Sequence, residues 1–364
     1  MGFTCGLLGS PNVGKSTIFN ALTSAGAEVA SYAFTTIEPN IGIVKVPDER
    51  LQSLARIVRP EKVTPTTMKF LDIAGLVKGA SKGEGLGNQF LGHIRDVDAI
   101  AHIVRCFEDA NVAHVEGTVV PKRDIELVNA ELVLADLETV EKRINKAEKL
   151  IKSGKGEGEK ELNLCRKLQK ALAKGLPARS LRLEDEEQEE LIKEINLLTA
   201  KPVLYVANLG EENQGQSQWL SAVQEVAQKE GVPVVEIWGK IEAELSELPE
   251  GERATFSKEM GLERSGLEKL IKAGYALLEL ISFYTTVGVE LRAWTVKKGA
   301  RAPQAAGKVH TDMERGFIKA EVISFGDFIA AGSESVAREK GLMSSEGKDY
   351  IVQDGDVIQF RFNV

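Results

Sequence analysis

Cysteine is scarce. The three residues Cys5, Cys106 and Cys165 lie far apart and form no C-x-x-C pair. An odd, dispersed set excludes a disulfide framework and a zinc site, and reads as reduced cytosolic thiols. Aromatic residues make up 6% of the chain and prolines number 11. No apolar run approaches the roughly 20 residues that span a bilayer, and the N-terminus lacks a signal-peptide layout, so no membrane role is expected. The four histidines show no H-E-x-x-H or comparable metal spacing. Basic charge is in deficit too, with 46 Lys and Arg against 54 Asp and Glu and a net charge of −8. That excludes a globally basic nucleic-acid coat, and no DNA partner is expected, although a local basic surface stays open. What remains is a globular composition, 43% hydrophobic and 27% charged over 364 residues, long enough for two or three domains.

Residues 1 to 110 alternate short apolar runs with helical patterns. The strand candidates are 3–8, 42–46, 68–73 and 99–104. Such alternation implies βαβ units and a largely parallel sheet. From about Ile125 the texture changes. Ala130, Val133, Leu137, Val140, Ile144, Ala147 and Ile151 recur at alternating steps of three and four, a heptad seam. A polar turn at 153–159 and a second helical pattern with Leu164, Leu168 and Leu172 complete an antiparallel coiled-coil hairpin. The stretch 141–175 holds eleven Lys and Arg against five Asp and Glu. An acidic helix over 183–198 then leads back to strands at 202–207 and 232–237, with helices over 217–229, 241–248 and 266–280. The hairpin therefore reads as an insertion in one α/β domain. Short β runs at 293–296, 317–322 and 350–362 form a small mixed α/β domain. The expected boundaries are 1–124 with 200–280 for a nucleotide-binding domain, 125–199 for the hairpin, and 281–364 for the C-terminal domain.

The strongest chemical signal is Gly9-Ser-Pro-Asn-Val-Gly14-Lys15-Ser16, a full G-x-x-x-x-G-K-[ST] between an apolar strand and a helix. Its backbone N–H groups can wrap phosphates at a helix N-terminus, Lys15 can reach the β and γ phosphates, and the Ser16 hydroxyl can ligate Mg2+. Asp72-Ile-Ala-Gly75 follows the next strong strand. There Asp72 can hold the magnesium through water and the Gly75 N–H can sense the γ-phosphate. Phe34-Thr35-Thr36 supplies hydroxyls for the metal shell, and the glycine-rich stretch from Lys78 and Gly79 through Lys82, Gly83 and Gly85 to Gly87 reads as a switch loop. This set is the GTPase-type, switch-bearing form of P-loop protein.

Two departures direct the base and the chemistry. Guanine selection normally uses N-K-x-D, yet after the strand 202–207 the chain reads Asn208-Leu209-Gly210-Glu211. Losing a bidentate charged acceptor removes guanine preference of several kcal/mol, at roughly 1.5–3 per charged hydrogen bond, and relaxes the pocket toward adenine. Leu76 stands where many GTPases keep a water-orienting Gln. His114, in a polar loop beyond the strand 99–104, is the candidate replacement, as a mobile imidazole or else an ordinary surface histidine. His102 reads as a core histidine, His93 as structural and His310 as part of a turn. Asn12 either stabilises the loop or seats a monovalent cation such as K+.

The P-loop GSPNVGKS, the stretches YAFTTIEPNIG and DIAGLVKGASKGEGLGN, the NLGE and the C-terminal RAWTVKKGARAPQAAGKVHTDMERGFIKAEV resemble the YchF subfamily of Obg-like ATPases over essentially the whole chain. The resemblance implies a GTPase-fold domain that prefers ATP, a helical insertion and a C-terminal TGS domain of β-grasp fold. It also implies ribosome association in the cytoplasm. Carried onto this chain, Asn12, Val13, Gly14, Lys15, Ser16 and Thr17 line the phosphates. Ser16 and Thr36 ligate Mg2+, and Asn208 with Glu211 border the base. The last specificity loop departs from S-A-K as Trp238-Gly239-Lys240, which leaves a backbone contact from Gly239. The expected function is an ATP-hydrolysing switch that engages ribosomal RNA through its basic residues. A nucleotide-gated module with negligible hydrolysis and a conventional GTPase are the alternatives.

Overall fold

The computed structural model describes residues 3–24, 28–30, 40–75, 79, 86–152, 158–211, 218–259 and 265–363. Its strands are β1 (Thr4–Leu8), β2 (Glu28–Ala30), β3 (Asn40–Lys45), β4 (Lys62–Thr64), β5 (Thr67–Asp72), β6 (Ala99–Cys106), β7 (Val203–Leu209), β8 (Val234–Ile237), β9 (Leu280–Val287), β10 (Glu290–Lys297), β11 (Phe317–Ile323), β12 (Ser344–Glu346) and β13 (Val357–Phe362). The chain divides into two compact units, Met1–Val44 with Lys69–Ala273, and Lys45–Met68 with Gly274–Val364.

The first unit is built on a seven-stranded sheet in the order β2-β3-β5-β1-β6-β7-β8. From β5 to β8 every pairing is parallel, while β2 runs antiparallel to β3. Every residue of β6 and β7 is buried. Continuous apolar runs of this kind suit strands covered on both faces, which is why they read as strands from sequence. The parallel direction brings the carboxyl ends of β1, β5, β6, β7 and β8 to one edge, where ligands bind in open α/β sheets.

The long helix Pro121–Lys152 serves two cores. Its first turns bury Ile125, Val128, Leu132 and Ala135 against the sheet. Farther along, Val133, Val140, Ile144 and Ala147 pack against Leu164, Cys165, Leu168 and Leu172 of the helix Glu159–Leu172. The heptad seam therefore starts at Val133, and Ala130 is exposed. The return to the sheet is fastened by Asp136, which is 1% exposed. Its carboxylate accepts from the N–H groups of Leu198 and Thr199, at 2.8 and 2.7 Å, and from the Thr199 hydroxyl at 2.6 Å. Part of the basic stretch is paired: Lys142 with Glu138, Arg143 with Glu161 and Glu194, Arg166 with Glu148, and Lys167 with Glu184. The acidic helix Glu186–Ile195 and its approach supply part of that compensation.

The second unit holds a sheet in the order β12-β11-β13-β9-β10-β4. Counted from β9, its first five strands run 2-1-5-3-4, with the helix Ala302–Val309 joining β10 to β11. That is the β-grasp arrangement. Strand β9 was not among the strands read from the sequence, where the preceding helix was drawn to 280. That helix stops at Leu277 and Glu279 turns the chain in a left-handed conformation (φ +52°), freeing the β-branched and aromatic run that follows.

Residues 45–68 correct the expected boundary, which placed them in the nucleotide-binding domain. Strand β4 joins β10 in parallel. Leu51 and Leu54 of the helix Glu49–Val58 are buried among Tyr284, Leu291, Ala293, Phe328 and Val357. Arg50 forks onto both carboxylate oxygens of Asp354 at 2.8 and 3.2 Å, and the Tyr284 hydroxyl donates to Asp48. The amphipathic pattern of this helix was too short to name its partner.

All three cysteines are buried and unbridged, and burial pushes the thiols of Cys5 and Cys106 up to about 12 and that of Cys165 up to about 11. His102 is a core residue, 3% exposed, with its ring 5.4 Å from that of Tyr205. Burial lowers it to about 3, with the charges of Arg179 and Lys15 adding to the effect. A histidine held neutral in the fold but free to protonate at about 6.5 when unfolded contributes stability above that pH. The contribution falls by about 1.4 kcal/mol per pH unit between 6.5 and 3. Denaturant titrations over this range should therefore show a shallower acid loss for His102→Gln than for the unmodified protein.

Candidate nucleotide-binding site

The P-loop follows β1 and runs into the helix Lys15–Ser24. Asn12 and Gly14 adopt left-handed backbone angles, φ +61° and +93°. At Gly14 a Cβ atom would lie 2.2 Å from Nδ2 of Asn208, so glycine is required both by conformation and by space. Lys15 opens the helix at 8% exposure, its Nζ 3.4 Å from the Ser10 carbonyl. Burial lowers its pKa against the opposing pull of Asp72. An ammonium so placed gains by meeting a phosphate. These residues border a cavity of about 810 Å3, ample for a nucleotide.

The metal side is partly assembled. The Ser16 hydroxyl donates to Oδ2 of Asp72 at 3.1 Å, joining the helix start to the end of β5. Oδ1 of Asp72 is buried and has no hydrogen-bond partner among the described residues. Burial pushes this carboxyl up, while Ser16 and Lys15 pull it down. An orphaned carboxylate oxygen next to a hydroxyl fits Mg2+, which uses few protein ligands and completes its shell with water and phosphate. Among the described residues no cluster of three His, Cys, Asp or Glu offers an all-protein cage. Thr36, Leu76, Lys78 and Lys82 lie outside the described residues, as do Gly83 and Gly85. Gly79 lies within them, and its N–H donates to Glu131 on the long helix at 2.6 Å. Gly75 sits against Pro11, where a Cβ would be 3.1 Å away.

At the base end Asn208 is a bridge. Its Nδ2 donates to the Val13 carbonyl at 2.9 Å, and its Oδ1 accepts the Gly239 N–H at 3.0 Å. The Gly239 amide, expected to meet the base, is thus spent on Asn208. Glu211 pairs with Lys240 at 2.9 Å, across the mouth of the cavity. The segment 107–112, with Leu209, Gly210 and Trp219, supplies more of the wall. Sequence reasoning missed Phe107 and Trp219, because neither belongs to a motif. It missed Arg105 as well, a charged residue directly following an apolar strand, which was a usable signal.

His114 differs from expectation. Its side chain is 6% exposed; Nδ1 accepts the Glu116 N–H at 3.1 Å, so Nε2 carries the proton and donates to Asp124 at 2.9 Å. The imidazole is clamped to the first turn of the long helix and does not line the cavity. A carboxylate ten residues ahead on an unassigned surface could not be paired with it from sequence. His310 is the turn residue expected, its Nδ1 capping the helix Thr311–Arg315 through the Asp312 N–H. His93 is half-buried on the helix Leu86–Arg95. Asn12 donates from Nδ2 to the Ala113 carbonyl at 3.1 Å, a loop-stabilising bond.

With this geometry in hand, comparison with known proteins is decisive. A protein of Escherichia coli O157:H7 named ribosome-binding ATPase YchF is 53% identical over 364 residues, covering 100% of both chains. The chain belongs to the YchF family. A Bacillus subtilis (strain 168) YchF of the same description is 52% identical over 367 residues, again covering 100% of both. The structure of the Schizosaccharomyces pombe YchF GTPase matches with a TM-score of 0.86 at 35% identity, over 99% of this chain and 97% of that one. A GTP-binding protein from Pyrococcus horikoshii OT3 shares the fold, with a TM-score of 0.65 at 21% identity over 99% of this chain and 100% of that one. A family model for 50S ribosome-binding GTPases matches residues 4–136, and one for the YchF GTPase C-terminal region, described as a protein of unknown function, matches residues 280–363. YchF relatives are thus described under two nucleotides, which makes base choice the question to measure.

Gly14→Ala should combine backbone strain of about 1–2 kcal/mol with the clash on Asn208. Gly231→Ala is a matched control, since Gly231 has φ +67° but nothing within 4 Å of its would-be Cβ. Equilibrium unfolding and nucleotide binding should show a larger loss of stability at Gly14, and loss of binding at Gly14 alone.

Proposed function

We propose that this chain is a cytoplasmic, ribosome-binding ATPase that hydrolyses ATP to ADP and phosphate and works as a nucleotide-dependent switch. The observation that carries the reading is the union of a complete P-loop with Asn208-Leu209-Gly210-Glu211, in a chain more than half identical to YchF proteins described as ribosome-binding ATPases. The backbone of Asn12, Val13, Gly14, Lys15, Ser16 and Thr17 cradles the phosphates, and Lys15 neutralises charge that grows on them during transfer. Ser16 and Thr36 would hold Mg2+ directly and Asp72 would hold it through water. Such an ion would supply positive charge that offsets the charge of the phosphates. Gly75 senses the γ-phosphate. Asn208 fixes the base-side loops, while Glu211, held by Lys240, and Gly239 border the base. The Asn12 side-chain nitrogen is engaged with Ala113, so its side-chain Oδ1 would be the end to hold K+. His114 orients the attacking water once its loop leaves Asp124. A lower kcat at unchanged KM in His114→Ala supports that role, and equal rates return His114 to a structural one.

Displacement of a fluorescent nucleotide tests the base. ATP should compete at least as well as GTP, Lys15→Ala should weaken both at least about a hundredfold, and Leu209→Lys with Glu211→Asp should raise GTP affinity. Tighter GTP than ATP binding in the unmodified chain overturns the ATP assignment and favours a conventional GTPase, the description given to the Schizosaccharomyces pombe relative.

Ribosome binding is tested by co-sedimentation. Contacts to RNA phosphates release counterions, so binding should fall steeply with salt. Lys142 and Arg143 are committed to Glu138, Glu161 and Glu194. The exposed Lys146 and Lys149 are the better reversal sites. Lys146→Glu with Lys149→Glu should reduce co-sedimentation and leave ATP affinity unchanged; co-sedimentation insensitive to both salt and these changes excludes this face as the contact.

A further inference from the structure

Arg105 is among the largest fully buried side chains, 2% exposed, at the end of β6. Among the described residues no carboxylate lies within ion-pair distance of it. Asp109, Asp124 and Glu108 act on it only from beyond that distance, and a buried guanidinium without a direct ion pair is costly unless its donors are satisfied. Here they are satisfied by three carbonyls: Nε donates to Phe107 at 3.1 Å, Nη2 to Val112 at 3.0 Å and Nη1 to Asn12 at 3.4 Å. The Phe107 ring lies 4.6 Å from the guanidinium carbon, in cation–π range.

The acceptors explain the placement. In the parallel ladder Arg105 pairs with Asn208. From these neighbouring strand ends the two side chains hold consecutive P-loop carbonyls, Arg105 that of Asn12 and Asn208 that of Val13. A trans peptide is planar, with its C=O and N–H on opposite sides. Holding the Asn12 carbonyl outward turns the Val13 N–H the other way, and holding the Val13 carbonyl does the same for the Gly14 N–H. Asn12 is also one of the non-glycine residues in a left-handed conformation (φ +61°), a state whose cost the surroundings must offset. The other two acceptors begin and close the segment 107–112, from which Phe107, Asp109 and Val112 face the cavity.

We propose that Arg105 is a positioning residue for the nucleotide: it presets the N–H groups of the phosphate cradle and ties that cradle to the 107–112 wall, so that phosphate occupancy and the shape of the wall change together. This rests on the assignment of the cavity as an ATP site. Lysine carries its three donors on a single nitrogen and cannot reproduce the planar fork in which Nε, Nη1 and Nη2 each meet a separate carbonyl, which makes Arg105→Lys the informative change.

Unmodified protein and Lys15→Ala are titrated with ATP first. Binding by the former and its loss in the latter secure the underlying reading separately. Arg105→Lys should then raise the ATP Kd by about tenfold or more, the size expected from losing charged hydrogen bonds. Asp136→Asn, a buried change remote from the cavity, should lower the melting temperature and leave the ATP Kd unchanged. Arg105→Gln is measured beside them. ATP affinity within about twofold of the unmodified protein in a folded Arg105→Lys, or an affinity loss in Asp136→Asn that tracks its melting temperature equally, overturns the proposal. A second measurement needs no variant: ATP should slow hydrogen exchange in both the P-loop and residues 107–113 of the unmodified chain. Protection confined to the P-loop also overturns it.

Discussion

The side chain of Asn208, near the end of β7, holds together two loops that chain connectivity alone leaves independent. Its nitrogen fixes the P-loop carbonyl of Val13 and its oxygen fixes the amide of Gly239 beyond β8. Both bonds are buried, where an unmade one costs about 1–3 kcal/mol. The left-handed Gly14, the orientation of the neighbouring N–H groups and the floor of the cavity all depend on it. The residue pairing with it across the ladder, Arg105, continues the same support on the opposite flank. A phosphate cradle is a set of backbone dipoles, and dipoles act on charge strongly only when they are already aligned. Here neighbouring strand ends do the aligning.

Elsewhere the molecule joins its parts by making single elements serve two purposes. The helix Pro121–Lys152 contributes Ile125, Val128 and Leu132 to the core beside the sheet, and Val140, Ile144 and Ala147 to the hairpin core. Asp136, between those sets, turns its carboxylate onto the amides of Leu198 and Thr199. The hairpin is therefore anchored at its base by backbone hydrogen bonds and cannot slide along the sheet without exposing them. In the same way the segment 45–68 leaves β3 and returns through β5, yet buries Leu51 and Leu54 in the core of the C-terminal unit. The segments that carry Thr36 and Asp72 lie on either side of it in the chain.

Charge is treated with similar economy. A stretch that looks strongly basic in sequence is answered by Glu138, Glu148, Glu161, Glu184 and Glu194, so its field is weaker than its composition implies. Inside the site the reverse holds. Lys15 and Asp72 are each pushed toward neutrality by burial, so an anion beside the first and a cation beside the second would each offset that cost. The resting site thus stores unmet electrostatic demand on both the cationic and the anionic side.

Much of this was legible in the residues alone. The string from Gly9 to Ser16, the Asp72-to-Gly75 turn and the altered Asn208–Glu211 motif are contiguous, and their chemistry depends on local spacing. The fully buried strands β6 and β7 and the long hairpin were legible for the same reason, since periodicity is a local property. Strand β9 was obscured because a helix ends at Leu277, just before it, and the left-handed Glu279 makes the break between them. What only the tertiary structure decided is who meets whom across the sheet and between distant segments. It clamped His114 to Asp124, spent the Gly239 amide on Asn208, gave residues 45–68 to the C-terminal sheet and set Arg105 beneath the P-loop. Each of these follows from strand register and from packing between residues many positions apart, and a linear pattern does not encode such a meeting until the chain has folded.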